Sequence, residues 1–528
     1  MTVDTTPVAR TTAGLVQGLR LPGLEQFIEI PYGASPTGDR RFRPPVPAQA
    51  WDGVRNATAW TNRTPQNPDL AYGNAPQVFY AIQGDFYAKG MDEDSLTVNV
   101  WTPSTTDGRQ RPVVFWIHGG GYTVGHAASE SYDGARFAHE HDIVFVSVTH
   151  RLNVFGFLAL ETIAGPGYEG SGNAGMLDIV LALQWVRDNI AAFGGDPGNV
   201  TIVGESGGGA KVSTLMVADV AAGLFHRAVC ESGISLRANT TEQAHEYARA
   251  ILAEFGGDVP RLLSASVPEL LAAADAVARS GTAPAGPGPV IDGSFLTDSP
   301  LAIWRNGGGS AVPLLAGWTR DEVTAFATAD LDLGLTAPEA FRHDFGAGMP
   351  RLVDRGAGLA ALDRFLPGKD PAQLVAAARE LRPDADNSEL AVTLSGALLF
   401  QWPAVKLAEI RAGSGKATYL YEFDWVSPHL TALGAPHSSD IGLFFGNVDL
   451  LYSTRGFASA TAASAAMSRA LAAFARTGDP NTGRHAEWAP YSPGDRAVMI
   501  FDGVSRVEND PAAVLRRALE AADPATVL

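Results

Sequence analysis

The sequence predicts an α/β fold with a mainly parallel central sheet flanked by helices. Residues 112–117 and 143–148 are continuous apolar runs, which are typical of parallel strands covered on both faces. Between residues 173 and 193 apolar side chains recur on a wide helical face, and Phe-Gly-Gly-Asp-Pro at 193–197 signals the helix end. A new apolar strand follows at residues 200–203. This succession of strand, helix and strand indicates parallel crossover units.

Further short apolar runs extend the predicted sheet in both directions. Residues 96–101 predict a strand before the first crossover. The runs at 228–230, 314–316 and 419–423 predict strands after it. Residues 12–60 alternate short apolar runs with turns, as expected of hairpins at the edge of a sheet.

Two Ala-rich helical stretches interrupt this alternation. They cover about residues 236–312 and 330–415 and are interpreted as helical insertions. The Pro- and Gly-rich segment at 282–289 predicts a surface loop, not a domain boundary, because the strand pattern resumes on both sides. We therefore expect residues 1–528 to form a single domain.

The composition excludes several classes of function. The chain has 528 residues, a formal net charge of −18 and a single cysteine. The acidity argues against a nucleic-acid or anionic-membrane partner, and one cysteine allows no disulfide within the chain. The first residues lack the basic and apolar regions of a signal peptide, and no stretch approaches 18 uninterrupted apolar residues. A cytoplasmic location is therefore expected, and the histidines show no metal-ligand spacing.

The strongest candidate nucleophile is Ser206, at the centre of Gly204-Glu-Ser-Gly-Gly208. An apolar strand precedes this G-x-S-x-G pattern and a small-residue helix follows it. Such a strand, sharp turn and helix would expose the serine hydroxyl at the carboxyl end of the strand, beside a helix N-terminus that favours negative charge. The pattern alone also fits an ordinary loop.

A second glycine-rich segment predicts an oxyanion hole. His118-Gly-Gly-Gly-Tyr122 follows the strand at 112–117. Consecutive glycines let backbone N–H groups approach a substrate oxygen, and the N–H of Gly207, after the nucleophile, would add another donor. A flexible glycine turn is the alternative interpretation.

The base and the acid are less well determined by the residues themselves. Six histidines follow the nucleophile: His226, His245, His343, His429, His437 and His485. His437 lies in a loop after the predicted strand at 419–423, and His429 competes with it. The acid should lie between serine and histidine in the chain. Asp321 and Glu322, at the end of the strand beginning near 314, are both candidates.

The chain resembles the type-B carboxylesterases, the family that includes bacterial para-nitrobenzyl esterases and the cholinesterases. The similarity extends from about residue 12 to residue 505. The matching motifs are Pro31-Tyr32, Arg41-Phe42, Glu93-Asp-Ser-Leu-Thr-Val-Asn-Val100, His118-Gly-Gly-Gly121, Arg151-Leu-Asn153, Gly156-Phe-Leu158, Gly172-Asn173, Asn189-Ile-Ala-Ala-Phe-Gly-Gly-Asp-Pro197, Gly204-Glu-Ser-Gly207, Ser232-Gly233, Pro289-Val-Ile-Asp-Gly293, Asp321-Glu322, His437, Phe444-Phe-Gly446 and Thr477-Gly-Asp-Pro-Asn481.

The resemblance implies an α/β-hydrolase fold and assigns a role to each candidate residue. It implies a serine carboxylesterase that acts on small-molecule esters, as a monomer or homodimer, with no metal or organic cofactor. The implied residues are the nucleophile Ser206, the acid Glu322, the base His437, the oxyanion donors Gly120, Gly121 and Gly207, and the neighbouring residues Glu205, beside the nucleophile, and Ser232, near the acid.

Several positions depart from the family pattern. The family's cysteine in E-D-C-L is Ser95 here and its partner region contains Thr64, so the family's disulfide is absent, as in bacterial-type members. Gly207 replaces a common alanine and is expected to loosen the loop. Val323 replaces a glycine and Asp440 a glutamate. The loop 64–95 lacks the choline-binding tryptophan of cholinesterases, which disfavours a quaternary-ammonium substrate.

Two loops are candidates for substrate contact. The segment 61–90 carries aromatic side chains that either pack locally or line a gorge: Tyr72, Phe79, Tyr80, Phe86 and Tyr87. The segment 282–286 stands where cholinesterases narrow the acyl pocket with aromatics, and its small residues predict an open acyl side.

Three other functions share part of this evidence. A carbamate or amide hydrolase would use the same triad. A lipase would show interfacial activation on insoluble esters. A non-catalytic binding protein on this fold would lack a triad residue, whereas all three candidates are present here.

Overall fold

A central mixed sheet organises the molecule. The computed structural model describes residues 6–67, 76–85, 87, 90–327, 362, 366, 370–483 and 487–522. The strands within these ranges are β1 Val8–Arg10, β2 Leu15–Gln17, β3 Leu19–Leu21, β4 Leu24–Pro31, β5 Val54–Asn56, β6 Asn62–Arg63, β7 Gly90–Met91, β8 Thr97–Thr102, β9 Arg111–Ile117, β10 Val144–Val148, β11 Gly195–Glu205, β12 Arg227–Glu231, β13 Asn239–Thr240, β14 Val290–Ile291, β15 Leu314–Thr319, β16 Thr418–Phe423, β17 Ala497–Phe501 and β18 Arg506–Asn509.

Helices connect and cover these strands. Within the same ranges they are α1 Pro76–Gln83, α2 Gly134–His141, α3 Asn153–Gly156, α4 Ala174–Asn189, α5 Gly207–Leu215, α6 Thr241–Glu254, α7 Val259–Ser264, α8 Val267–Ser280, α9 Pro300–Arg305, α10 Thr324–Ala327, α11 Ala372–Leu381, α12 Asn387–Gly396, α13 Trp402–Gly413, α14 Ile441–Phe444, α15 Ala458–Thr477 and α16 Ala513–Ala522. A π-helical turn, Ala397–Gln401, joins α12 to α13.

The predicted mainly parallel sheet is confirmed. Its strand order is β18-β17-β16-β15-β12-β11-β9-β10-β8-β4-β3. Every neighbouring pair from β10 to β17 is parallel, whereas β8, β4, β3 and β18 pair antiparallel at the two edges. The strand expected at 200 begins earlier, at Gly195, but its pairing with β9 is irregular until Val200. The carboxyl ends of β9, β11, β15 and β16 therefore lie along one edge of the sheet.

Side chains of the central strands alternate between two apolar layers. On β9, Val113, Phe115 and Ile117 pack in one buried cluster, and Val114 and Trp116 pack in the other. Helices α4, α5 and α13 contribute to the first layer, and α2 and α15 to the second. The continuous apolar strands read from the sequence are thus explained, because both faces of the sheet are covered.

The first predicted helical stretch contains α6, α7, α8 and α9. The first three pack with α3 in an apolar cluster of their own. The second stretch contains α11, α12 and α13, and its residues 328–361 lie outside the described part of the chain. In the described ranges, only Glu389–Gly413 is long and apolar enough to span a membrane; 83% of its most apolar 18-residue window is buried within the protein, as in a core helix.

Candidate active site

Ser206 lies on a strained turn between β11 and α5. Its backbone has φ 57° and ψ −123°, a conformation rare for a residue with a side chain. The neighbouring glycines leave no room for anything larger. A Cβ on Gly204 would lie 2.5 Å from the Gly208 carbonyl carbon, and one on Gly208 would lie 2.0 Å from the Ile117 oxygen. The two flanking glycines are therefore required by close packing, as the motif predicts.

The three-glycine segment lies directly beside this turn. Gly120 and Gly121 adopt φ values of 85° and 63°, in the left-handed region that favours glycine. A Cβ added to Gly207 would lie 2.4 Å from both the nitrogen and the Cα of Gly121. The structure therefore gives Gly207 a different role from the predicted loosening: its missing Cβ lets the two backbones touch.

Glu322 and His437 form a buried hydrogen-bonded pair. His437 Nδ1 lies 2.5 Å from Glu322 Oε2, and Thr319 N–H donates to Glu322 Oε1 at 2.9 Å. The His437 backbone N–H also donates to the Glu322 carbonyl oxygen at 3.2 Å. Both side chains are buried, so the orientation of the imidazole is fixed by the carboxylate.

The neighbouring acid, Asp321, is engaged elsewhere. It forms ion pairs with Arg320 and Arg382 and accepts a hydrogen bond from Ala435 N–H at 3.0 Å. These contacts tie the strand end to the loop that carries His437. The choice that the residues left open between Asp321 and Glu322 is resolved by geometry in favour of Glu322 as the partner of His437.

Ser206 and His437 line one small pocket of about 30 Å³, together with Glu205, Gly119 and Gly120. His437 Nε2, the nitrogen not bound to Glu322, lies 3.1 Å from Glu205 Oε1. Within the described residues this nitrogen makes no hydrogen bond of good geometry. It is therefore available to a group that enters the pocket.

Two carboxylates control the charge of His437. Burial disfavours the imidazolium, but Glu205 and Glu322 together outweigh it and raise the pKa of His437 to about 9. Burial also raises the pKa of Glu205 to about 7, against the opposing effects of His437 and of the Ser438 hydroxyl. Ser438 donates to Glu205 Oε1 at 2.6 Å.

The other candidate histidines lie in different surroundings. His429 stacks on Tyr452 with ring centroids 4.6 Å apart, and His245 Nε2 lies 2.8 Å from Glu161. His226 Nδ1 accepts from Val200 N–H at 3.1 Å. His343 and His485 lie outside the described residues.

Ser232 lies at the end of β12, next to the nucleophile turn. It is buried, and its N–H donates to the Gly317 oxygen at 2.8 Å. Its hydroxyl makes no hydrogen bond to any described residue, including Glu322. A Cβ on the following Gly233 would lie 2.1 Å from the backbone carbonyl oxygen of Ser206, so this segment packs directly against the turn.

The family departures have structural partners. Thr64 Oγ1 lies 3.0 Å from Ser95 Oγ, so a buried hydroxyl pair stands where the family disulfide would be. Asp440 accepts from the Tyr421 hydroxyl at 2.9 Å behind the His437 loop.

The aromatic enclosure of the site was only partly predicted. Phe79 lines the pocket with Ser206, whereas Tyr72 and Phe86 lie outside the described residues. Phe326 and Phe400, whose rings lie 5.2 and 4.8 Å from the His437 ring, were not anticipated. Phe326 comes from the short helix α10 and Phe400 from the π-helical turn.

The segment 282–286 does not line the pocket at Ser206. Ala283, Ala285 and Gly286 instead border a separate cavity of about 400 Å³, with Thr123 on one wall and Val277 of α8 on another.

Comparison with known proteins decides the family. The profile of the carboxylesterase family matches residues 5–513. The chain belongs to the carboxylesterase family. This carboxylesterase is 33% identical over 525 residues to para-nitrobenzyl esterase of Bacillus subtilis (strain 168), covering 97% of this chain and 98% of the relative. It is 31% identical to phenmedipham hydrolase of Pseudarthrobacter oxydans, with 94% and 95% covered.

Solved structures agree with this assignment. A crystal structure of a Geobacillus stearothermophilus carboxylesterase superposes on this carboxylesterase with a TM-score of 0.80 at 34% identity, covering 97% of this chain and 99% of the other. The resemblance drawn from the motifs and the α/β-hydrolase fold are both confirmed. The protein is a serine carboxylesterase that hydrolyses carboxylic esters.

Proposed function

We propose that this carboxylesterase cleaves small-molecule esters through an acyl-enzyme on Ser206, with His437 as general base and Glu322 as its orienting acid. The observation that carries the proposal is the Glu322–His437 pair, 2.5 Å apart, in the pocket that Ser206 also lines. A nucleophile, a base and a group that orients the base are the parts that acyl transfer requires.

In the first half-reaction, Ser206 Oγ attacks the ester carbonyl carbon while His437 Nε2 takes the hydroxyl proton. Glu322, bound at Nδ1, holds the imidazole and stabilises the imidazolium. The tetrahedral intermediate collapses, the C–O bond to the alcohol breaks, and the imidazolium protonates the leaving oxygen. Water then repeats the attack on the acyl-enzyme and releases the acid and free Ser206.

The tetrahedral oxyanion needs donors that are in place before the reaction. We assign this role to the backbone N–H groups of Gly120, Gly121 and Gly207. The close contact between Gly121 and Gly207 supports the assignment, since it brings the two glycine backbones to one side of the nucleophile. Removing one donor from such a site typically costs about 10²–10³ in kcat.

The proposal is tested by labelling the nucleophile. Wild-type protein is mixed with excess p-nitrophenyl acetate, and a fluorophosphonate is used as a second, irreversible label. We expect turnover of the ester and one covalent phosphonate per chain on the peptide that contains Ser206, located by mass spectrometry. A label on another residue, or hydrolysis that survives complete labelling, would refute the assignment.

A carbamate hydrolase on the same triad is the second candidate, because one relative at 31% identity is named phenmedipham hydrolase. A carbamate would form a carbamoyl-enzyme on Ser206 in place of the acyl-enzyme. Steady-state turnover of an aryl carbamate at a rate comparable to the ester would favour this function. Stoichiometric carbamoylation without turnover would favour the ester.

The acidic limb of the pH profile should depend on Glu205. His437 must be neutral to accept a proton, so kcat/KM rises with pH as the imidazolium with its raised pKa loses its proton. Glu205→Gln removes one of the two carboxylates that raise this pKa, and should shift the limb to lower pH by about one to two units. The check is kcat/KM from pH 5 to 10. Asp440→Asn, which removes a weaker influence, should shift it less. Identical limbs in wild type and Glu205→Gln would contradict the prediction.

The cavity at 282–286 allows a test of substrate size. We propose that this separate cavity takes the distal end of a long acyl group; Ala285→Phe then places a ring in the cavity of about 400 Å³ and should slow long-acyl or aryl esters selectively. The measurement is kcat/KM for a p-nitrophenyl series from acetate to decanoate. An equal effect on acetate and on long esters would show that this cavity takes no part in substrate binding.

We further propose a bacterial-type cytoplasmic enzyme, monomeric or homodimeric, that binds no nucleic acid or membrane. The Thr64–Ser95 hydroxyl pair and the single buried cysteine support a reducing compartment. The net charge of −18 argues against polyanionic partners.

A further inference from the structure

The helix that follows the nucleophile carries a fully buried lysine. Within α5 the residues are otherwise small or apolar, yet Lys211 stands four residues after Gly207 with no exposed surface. Burying an ammonium group is costly unless its donors are satisfied. The residue therefore needs a structural or functional reason.

Lys211 is held by backbone oxygens and not by an acid. Its Nζ donates to the Gly121 carbonyl at 2.7 Å and to the His118 carbonyl at 3.3 Å. It also lies 5.3 Å from the centre of the Tyr122 ring, a cation–π distance. No carboxylate among the described residues lies within ion-pairing distance of Nζ. Burial lowers the pKa of Lys211 to about 7, against the opposing effect of Glu205, which lies farther away.

The two carbonyls bracket the three-glycine segment. His118 precedes Gly119, and Gly121 ends the run, so one ammonium group ties both ends of the segment to the nucleophile's own helix. Glycines with φ values of 85° and 63° have many alternative conformations, and these two anchors restrict them. Gly207, at the start of the same helix, also contacts Gly121. Helix α5 therefore contacts the three-glycine segment both through Gly207 and through Lys211.

We propose that Lys211 is a positioning residue of the oxyanion hole, which holds the carbonyls of His118 and Gly121 so that the N–H groups between them face the reacting carbonyl oxygen. The inference rests on the proposed function, because it needs Ser206 as the nucleophile. Lys211 itself does not touch the substrate. Its effect is exerted on the transition state, where the oxygen becomes charged, more than on the bound ester.

The test separates this role from simple support of the fold. In Lys211→Met the side chain keeps nearly the same length but loses the N–H donors of the amino group. We expect kcat for p-nitrophenyl acetate to fall about 10- to 100-fold, which is less than the fall caused by removing one oxyanion donor. KM should change less than about threefold. The Ki of an aryl trifluoromethyl ketone, which forms a charged adduct with the serine, should rise by the same factor as kcat/KM falls.

Ser213→Ala is the matched control on the same helix. Ser213 accepts from Ser235 N–H at 2.9 Å and donates to the Ala210 oxygen at 3.0 Å, so its loss removes buried hydrogen bonds away from the glycine segment. It should lower Tm without changing kcat or the ketone Ki. If Lys211→Met is folded and its kcat and Ki stay within twofold of wild type, the proposal is overturned.

A second variant covers the case in which Lys211→Met does not fold. Lys211→Gln retains two N–H donors on a shorter side chain, so it should lose about three- to tenfold in kcat and in ketone affinity. Unchanged constants in this variant would equally overturn the role of Lys211. If the wild type itself showed no hydrolysis that Ser206→Ala abolishes, the proposed function would fail instead, so the two failures are distinguishable.

Discussion

Ser206→Ala is expected to lower kcat for p-nitrophenyl acetate by about 10⁶-fold, to the level that binding and the oxyanion donors alone sustain. Ser206 is the one partly exposed residue of the turn 204–208 and the only one with a hydroxyl group, so no other hydroxyl on the turn can take its place. Alanine fits the same backbone, so the fold should be kept. The measurement is the initial rate with a protein whose circular dichroism and Tm match the wild type.

Cys230→Ala provides the matched control. Cys230 lies on β12, beside β11, and is the only cysteine of the chain. Burial raises its pKa, which keeps the thiol protonated. The variant should retain kcat within a few-fold. A Ser206→Ala protein with more than about a hundredth of wild-type kcat would mean that another group attacks the ester.

Glu322→Gln is expected to cost about 10⁴ in kcat, with KM little changed. The carboxylate accepts the Nδ1 hydrogen of His437 at 2.5 Å and is itself fixed by Thr319. An amide in its place can present its NH₂ group to Nδ1, which moves the imidazole hydrogen to Nε2. The ring would then have no lone pair facing Ser206.

Asp321→Asn is the control for this prediction, because Asp321 is the adjacent acid with a different set of partners. Asparagine can still accept from Ala435 N–H, so the His437 loop should be kept and kcat should fall less than tenfold. Stability should decrease, since the pairs with Arg320 and Arg382 lose their charge. Equal losses of kcat in the two variants would contradict the assignment of Glu322.

The sheet and the nucleophile turn could be predicted because their signals are local. The apolar runs of β9 and β10 require cover on both faces, and Gly204 and Gly208 are demanded by contacts within a few residues of Ser206. The pair of Glu322 and His437 was different. From the residues alone Asp321 was as good a candidate as Glu322, and His429 competed with His437; the family resemblance favoured Glu322 and His437. In the structure Asp321 forms ion pairs with two arginines, and His429 stacks on Tyr452.

The remaining features depend on contacts between distant segments. The sequence predicts that Gly207 loosens its loop, whereas in the structure the residue allows close contact with Gly121, which lies 86 positions earlier in the chain. Phe326 and Phe400 approach His437 from two separate helices. Lys211 was visible as the one charge in a small-residue helix, a signal that could have been used. Its carbonyl partners could not have been named without the fold.

The π-helical turn at Ala397–Gln401 lets one long helix serve two surfaces that are out of phase. Before the turn, Gly396 lies against Glu322, and within it Phe400 lies over His437; after it, Leu407 and Ala408 of α13 pack into the core beside the sheet. Each residue of a regular α-helix advances by about 100°, so the extra residue of the π turn resets the rotation of everything that follows. A one-residue deletion there would straighten the helix and rotate either the side that carries Phe400 or the core-facing side of α13 by about that angle. Both surfaces therefore constrain the number of residues in this segment.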